Sequence, residues 1–225
     1  KMAINVNTVY QTVLLILNKE QRGYITPDEF NKVATQVQLQ ILEDYFEDLN
    51  QVSRIQQNDM DYSDRVSAVD EKISVFRQEA VVNRDTATTN VYRLGTVTYN
   101  GIELQRVQRN DYYNIVKSPL LAPSLKQPIY LYQDNKILSY PITATPVNID
   151  FIGAPAQPVW GFTVNANTGV YLHSPVASTD FTLMPSEQSN VIIKILSYSG
   201  IIIRDPSIIQ AAAQEAQRTE INSKR

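Results

Sequence analysis

The sequence contains no cysteine, one histidine and seven glycines, and each shortage excludes a class of function. Without cysteine the chain forms no disulfide, no thiolate metal site and no cysteine nucleophile. Its glycines are spaced too widely for a phosphate-binding loop or a dinucleotide-binding fingerprint. No apolar run reaches the roughly 20 residues that a membrane-spanning helix requires, and the N-terminus does not look like a signal peptide. We therefore expect no membrane partner.

The residues that could carry catalysis are few and scattered. His173 lies beside a predicted turn, and the sequence places around it none of the partners that a catalytic triad or a metal site needs. Carboxylate pairs such as Asp44 and Asp48, or Asp59 and Asp61, lack the glycine and terminal glutamate of an EF-hand loop. We predict a protein that is not an enzyme and that binds no cofactor and no metal.

The most informative segment is ITPDEFNKVATQVQLQILEDYFEDLN, residues 25–50. Thr26 and Glu29 have the spacing of a helix N-cap and capping box, and Pro27 occupies the first helical position. Ile25 and Phe30 have the spacing of a hydrophobic staple. An apolar stripe at helical spacing then follows: Phe30, Val33, Ala34, Val37, Ile41, Leu42, Tyr45, Phe46 and Leu49. This segment is predicted to be a long amphipathic helix.

Composition changes near residue 90. Nine of the eleven prolines lie between Pro119 and Pro185, and eight of the thirteen tyrosines lie between Tyr92 and Tyr171. Apolar residues recur at helical spacing before residue 90 and alternate as in strands after it. The sequence predicts an α+β fold, with one helical core built from the N- and C-terminal segments and an antiparallel β module inserted between them. The predicted boundaries are residues 1–89, 90–185 and 186–225.

Turn and cap residues mark the individual elements. Asn100-Gly101 and Asp134-Asn135 are tight-turn signals between short strands, and residues 165–169 predict the turn of another hairpin. PVNIDFIGAP adds a strand that ends at its glycine and last proline. Helices are predicted over residues 7–21, over a third segment containing Val66, Val69, Ile73 and Phe76, from residue 186 to Gly200, and after Asp205, with residues 201–203 extended.

Three longer stretches carry a resemblance to a known family. They are NTVYQTVLLILNKEQRGYITPDEFNKVATQVQLQILEDYFEDLN, YNIVKSPLLAPSLKQPIYLYQDNKILSYP followed by NIDFIGAPAQPVWGF, and QSNVIIKILSYSGIIIRDPSIIQAAAQEAQ. Together they resemble the tail-adaptor or ring proteins found below the portal in short-tailed bacteriophages, including crAss-like phages. The resemblance implies a structural protein of the virion that forms a closed homo-oligomeric ring of about twelve copies in the head-to-tail connector.

The same resemblance implies the partners and the location of the protein. The ring would contact the portal and other tail or ring proteins, and it would surround a channel through which double-stranded DNA passes without sequence recognition. A net charge of −3 suits such a conduit, because a strongly basic lumen would retain DNA. The chain would be made in the bacterial cytoplasm and found in the virion.

The acidic end of the second helix is the predicted lateral contact. Like charges four residues apart near a helix C-terminus destabilise an isolated helix, so we expect basic groups of an adjacent subunit to bind them. The acidic candidates are Glu43, Asp44, Glu47 and Asp48, and the basic candidates, assigned to the third helix, are Arg65, Lys72 and Arg77.

Axial contacts are predicted in two proline-rich loops, residues 118–128 and 157–162, and at the C-terminal helix. The named candidates are Pro123, Trp160, Phe162 and Asp205. Trp160 has a second interpretation, burial under a loop at the edge of the β module.

Two alternatives to a ring protein stay open. A glycan-binding or receptor-binding tail module would use Trp160 and the tyrosines of the β region as stacking surfaces, although alternation along strands favours cross-strand packing of those tyrosines. A hydrolase with an unusual carboxylate site would have only scattered aspartates and glutamates to use.

Overall fold

A computed structural model describes residues 3–19, 24–54, 60–142, 144–166 and 169–202, together with residues 210, 213, 214, 217 and 218. The chain forms two compact units. One combines Lys1–Val75 with Pro155–Arg225, and the other is Phe76–Ala154. The helices in the described residues are α1 (Val6–Lys19), α2 (Pro27–Arg54), α3 (Met60–Ser74), α4 (Arg109–Lys117) and α5 (Gln188–Ile202). This arrangement confirms the predicted α+β class.

The N-terminus of α2 has the predicted cap. The Thr26 backbone N–H donates to Glu29 Oε2 at 2.9 Å, and the Glu29 backbone N–H donates to Thr26 Oγ1 at 3.4 Å. The backbone N–H and the hydroxyl of Thr26 both donate to the Glu29 carboxylate and favour its charged form, so the pKa of Glu29 is lowered. The staple residues Ile25 and Phe30 are both buried. Local sequence therefore fixes where this helix begins.

Replacing Thr26 by alanine tests the cap. We expect Thr26→Ala to lower the free energy of unfolding by about 1 kcal/mol, because the backbone N–H of Glu29 loses its acceptor. Urea denaturation followed by circular dichroism measures the change. Thr35→Ala is the matched control, since Thr35 lies inside the same helix, bonds the Asn31 carbonyl oxygen and should lose nothing when replaced by a better helix former. Equal losses in the two variants would contradict a capping role.

The helical unit has one apolar core. Helix α5 packs against α1 and α2, and α3 packs against α2. Residues 155–187 belong to this unit. Phe181 pairs with Ile4, which precedes α1, and Val159 pairs with Thr179 within the segment itself. The largest fully buried side chains here are Phe30, Phe181, Ile4, Leu17, Ile25, Ile41, Leu42, Ile73, Leu183 and Ile195. The predicted packing of N- and C-terminal helices is confirmed.

The Phe76–Ala154 unit contains two sheets. Its strands are β1 (Arg77–Val82), β2 (Val91–Tyr99), β3 (Ile102–Glu103), β4 (Gln105–Arg106), β5 (Ile129–Gln133), β6 (Lys136–Tyr140) and β7 (Val147–Gly153). One sheet has the order β1-β7-β2-β3 and is antiparallel, and the other has the order β4-β5-β6, with β4 parallel to β5. Their shared core contains Val82, Val97, Leu104, Tyr130, Ile137, Val147, Ile149 and Phe151.

The predicted tight turns are confirmed by the backbone. Asn100 and Gly101 have φ of 48° and 79° between β2 and β3, and Asp134 and Asn135 have φ of 52° and 54° between β5 and β6. Two consecutive residues with positive φ form the turn that matches the twist of a two-residue hairpin. The third hairpin joins β8 (Phe162–Val164) to β9 (Tyr171–His173) and belongs to the helical unit.

Several predicted boundaries are corrected. The β unit begins at Phe76 and ends at Ala154, instead of spanning 90–185, because β1 pairs with the distant strand β7 while the later segment packs on helices. Helix α4 lies inside the predicted β module and was not predicted from the sequence. Helix α5 continues through Gly200 to Ile202, where an end and an extended stretch were expected. Asp205 and the start of the predicted last helix lie outside the described residues.

Candidate assembly surfaces

The acidic end of α2 is partly neutralised within its own chain. Lys194 of α5 lies 2.8 Å from Asp44 Oδ2. One turn further along α5, the Tyr198 hydroxyl donates to Gln40 Oε1 at 3.2 Å. These contacts join α2 to α5 and give Asp44 a partner within its own chain, while its part in a contact between subunits stays a prediction.

A second ion pair uses Lys72 in the same way. Lys72 Nζ lies 2.9 Å from Glu187 Oε1, and Asn190 donates to Glu187 Oε2 at 3.1 Å. Burial acts to raise the pKa of Glu187, yet the bonds from Lys72 and Asn190 outweigh it and hold that pKa below its ordinary value. Burial and the nearby Glu187 carboxylate raise the pKa of the Tyr45 hydroxyl. This hydroxyl is buried and makes no well-formed hydrogen bond. Lys72 thus has a partner within its own chain, and its role between subunits stays a prediction.

The lowered pKa of Glu187 predicts a dependence of stability on pH. A carboxylate with a depressed folded-state pKa stabilises the fold above its unfolded pKa, and this contribution disappears as pH falls through the folded-state value. We expect Glu187→Gln to cost about 2 kcal/mol at neutral pH, less than for a fully buried pair because Lys72 is partly exposed. The variant should also lose less stability than the wild type as the pH falls from neutral to below the lowered pKa of Glu187. Urea unfolding at several pH values measures both effects.

Glu47→Gln is the matched control for this experiment. Glu47 is exposed on α2, so its replacement should leave both the stability and its pH profile unchanged. Parallel pH profiles for Glu187→Gln and the wild type would contradict the assignment.

The remaining lateral candidates have different placements. Glu47 and Asp48 are exposed, and Glu43 is half-buried. Arg77 is the first residue of β1, since α3 ends at Ser74, so its assignment to the third helix is wrong. Arg65 lies in α3, but its side chain is outside the part of the chain that the structure describes. Arg77 belongs to the Phe76–Ala154 unit, and the acidic candidates belong to the helical unit.

Trp160 is a core residue. Its side chain is 5% exposed, its Nε1 donates to Asn7 Oδ1 at 2.9 Å, and its ring centroid lies 4.3 Å from that of Tyr10. On the other side, Trp160 stacks against Phe162 and His173 at 6.0 and 5.5 Å. Burial of Trp160 under a loop of the β module was one expectation. Trp160 is indeed buried, but it packs on residues of the helical unit. An exposed axial anchor at Trp160 is excluded.

Two amides on α2 hold the extended segment that contains Trp160. Asn31 Oδ1 accepts from the Trp160 backbone N–H at 2.7 Å, and Asn31 Nδ2 donates to the Trp160 carbonyl at 3.4 Å. Gln38 Nε2 donates to the Ala156 carbonyl at 2.7 Å, and its Oε1 accepts from the Thr182 N–H at 2.8 Å. Sequence reasoning missed these residues. Their seven-residue spacing on the apolar face of α2 was the available signal.

The one histidine has a structural environment. His173 Nε2 lies 3.0 Å from Ser178 Oγ. That hydroxyl donates to the Ser174 carbonyl at 2.8 Å and accepts from the Gly161 N–H at 3.0 Å. The Ser178 hydroxyl therefore stabilises a turn. It is a poor nucleophile, because its proton is bonded to a carbonyl and its oxygen accepts a backbone hydrogen bond.

The β8–β9 hairpin is an exposed apolar element, which we call the hairpin arm (residues 162–166 and 169–173). Thr163, Val164, Tyr171 and Leu172 form most of its two strands, and Phe162 and His173 attach its base to Trp160. The exposed apolar side chains of the arm and its flank are Val164 at 56%, Val170 at 54%, Tyr171 at 38%, Leu172 at 50% and Val176 at 99%.

The second exposed apolar element is the loop of residues 118–128, which we call the leucine loop. Its Leu120, Leu121 and Leu125 are 94%, 66% and 49% exposed. The loop has internal order, because the Ala122 N–H bonds the Ser118 carbonyl at 3.0 Å and Ser124 and Gln127 form a bridge. Pro123 is half-buried within it. The axial role of this loop and of half-buried Phe162 stays a prediction.

A third surface feature is aromatic. Tyr112 of α4 packs on Tyr140 at 4.7 Å and on Tyr113 at 5.2 Å, and the Arg84 guanidinium lies 5.0 Å from the centre of the Tyr140 ring. Desolvation, with a hydrogen bond to Tyr140, raises the pKa of Tyr112 to about 12. Tyr113 is 56% exposed.

The comparisons with known proteins add no identity: no protein-family model and no curated protein matches this chain. Among the described residues, no three histidine or acidic side chains come together as a metal site requires. In the same ranges of the chain, no helix is long and apolar enough to cross a lipid bilayer.

Proposed function

We propose that the chain is a structural subunit of a phage virion and forms a ring of the head-to-tail connector. Its proposed partners are further copies of itself, the portal, other tail or ring proteins, and double-stranded DNA that passes through the ring without being read. The proposal includes no catalysis. The chain would be made in the bacterial cytoplasm and incorporated into the virion.

One observation carries this proposal: a single chain presents two separate exposed apolar surfaces, the hairpin arm and the leucine loop. Large exposed apolar groups on a protein usually mark sites where another molecule binds. A subunit of a cyclic ring needs two different surfaces, because each copy contacts one neighbour on each side in a head-to-tail manner. The resemblance of the three sequence stretches to tail-adaptor proteins supports the same function.

Negative-stain electron microscopy of the purified full chain tests this function. We expect annular particles with rotational symmetry and a central opening, because head-to-tail contacts close into rings when the rotation between neighbours is a simple fraction of a turn. Monomeric particles at every concentration tested would exclude the ring.

The Tyr112, Tyr113 and Tyr140 cluster favours a second candidate, a glycan-binding or receptor-binding tail module. An exposed aromatic ring, here that of Tyr113, can stack on a sugar, and a nearby arginine can bond the sugar hydroxyl groups. Burial of Trp160 removes the other residue that favoured it. Binding of a glycan array by a monomer, abolished in Tyr113→Ala, would support this candidate over the ring.

A further inference from the structure

We propose that the hairpin arm of one copy packs on the leucine loop of the next copy, so that these two elements form the two halves of one repeated interface. This inference rests on the proposed ring, and it names the surfaces that hold the ring together.

The hairpin arm lacks the features that normally protect a sheet edge. It is a two-stranded sheet, and β8 and β9 have no other strand beside them in the described part of the chain. Natural edge strands are usually protected by charged side chains, prolines or a covering element. The sequence from Phe151 to Thr179 contains no aspartate, glutamate, lysine or arginine at all. An apolar hairpin without such protection needs a partner to cover it.

The leucine loop has a composition that matches the arm. Between Lys117 and Lys126 the loop carries no charge. Its leucines are exposed to solvent, and Leu120 is 94% exposed. When an uncharged loop meets an uncharged hairpin, no charged group has to leave water. Both surfaces gain the full benefit of apolar burial.

Charge disfavours the pairing of two loops, and ring closure disfavours the pairing of two arms. Two leucine loops placed against each other would bring together Lys117 and Lys126 of both copies, and these like charges repel. The arm has no charge, so it accepts the loop without that repulsion. Arm on loop also leaves neither element exposed in a closed ring, whereas arm on arm leaves every loop in water.

Lysine substitutions test the inference in the full chain. The arm variant is Val164→Lys with Leu172→Lys, and the loop variant is Leu120→Lys with Leu121→Lys. Each should weaken self-association by roughly 100-fold or more, measured by native mass spectrometry and sedimentation velocity. The control is Leu15→Lys with Val81→Lys, two positions 67% and 68% exposed outside both elements, and it should keep the wild-type assembly. Circular dichroism checks that all variants are folded.

Mixing the two disabled variants gives the decisive result. The arm variant keeps an intact loop and the loop variant keeps an intact arm, so the mixture should form a one-to-one heterodimer and nothing larger. Rings that persist in both variants would overturn the arm-on-loop contact while leaving the ring itself established. Dimers of the loop variant alone would show arm-on-arm pairing and overturn it too. A wild type that is monomeric throughout would overturn both the contact and the proposed function.

Discussion

Trp160→Ala is expected to lower the free energy of unfolding of the helical unit by about 3–5 kcal/mol. The side chain is 5% exposed, and its ring lies between Tyr10 and His173. Truncation removes this packing and leaves Asn7 Oδ1 without the indole N–H that it accepts at 2.9 Å. The cost combines a cavity, lost aromatic contacts and a lost polar partner.

Urea denaturation followed by circular dichroism measures this loss, and two variants serve as controls. Trp160→Phe keeps an aromatic ring but no donor, so it should cost clearly less than alanine. Tyr113→Ala removes an aromatic side chain that is 56% exposed and should cost less than about 1 kcal/mol. A small loss in Trp160→Ala, similar to that of Tyr113→Ala, would mean that Trp160 is not a core residue.

Gln38→Leu is expected to cost about 3 kcal/mol although it places an apolar residue in an apolar core. Gln38 is 1% exposed and bonds both the Ala156 carbonyl and the Thr182 N–H. Leucine cannot replace either bond, and each buried backbone group left without a partner costs about 1–3 kcal/mol. The two backbone segments that Gln38 joins, near residues 156 and 182, lie before and after the hairpin arm in the sequence.

The matched control for this prediction is Gln36→Leu, the same substitution at an exposed position of the same helix. It should change stability by no more than about 0.5 kcal/mol. Hydrogen exchange of the Thr182 amide provides a second measurement, since its protection should fall in Gln38→Leu and stay unchanged in Gln36→Leu. Undiminished protection of the Thr182 amide in Gln38→Leu would contradict its hydrogen bond to Gln38.

Local features of the fold were predictable from the sequence. The start of α2 follows from Thr26, Pro27 and Glu29, whose contacts lie within four residues of one another. The turns at residues 100–101 and 134–135 follow from residue types that tolerate positive φ. In each case the deciding interactions are close in sequence, so composition and spacing carry the information.

Features that depend on distant pairing were not predictable in the same way. Strand β1 is short and charged at its start, and its pairing with β7 brings together residues about 70 positions apart. The partner of Asp44 is Lys194, and the partner of Lys72 is Glu187. Sequence reasoning identified these charges as needing partners, and it looked for the partners in another subunit because nothing local could supply them.

The candidate surfaces were predictable only in part. Loop 118–128 was selected from its prolines, and the structure adds that its leucines are exposed. The hairpin was predicted from its turn, but its exposure on both strands depends on tertiary packing. The loop at residues 157–162 shows the converse. Its two aromatic residues and its proline suggested a contact loop, but hydrogen bonds between Asn31 and Trp160 attach it to α2.

Native mass spectrometry of the purified full chain is the most direct test of the central claim, that this chain assembles head to tail into a ring. The account predicts one dominant assembly with a fixed subunit number of about twelve and no series of intermediate sizes, because a closed ring satisfies every interface. A monomer at all concentrations, or a symmetric dimer as the largest species, would contradict it.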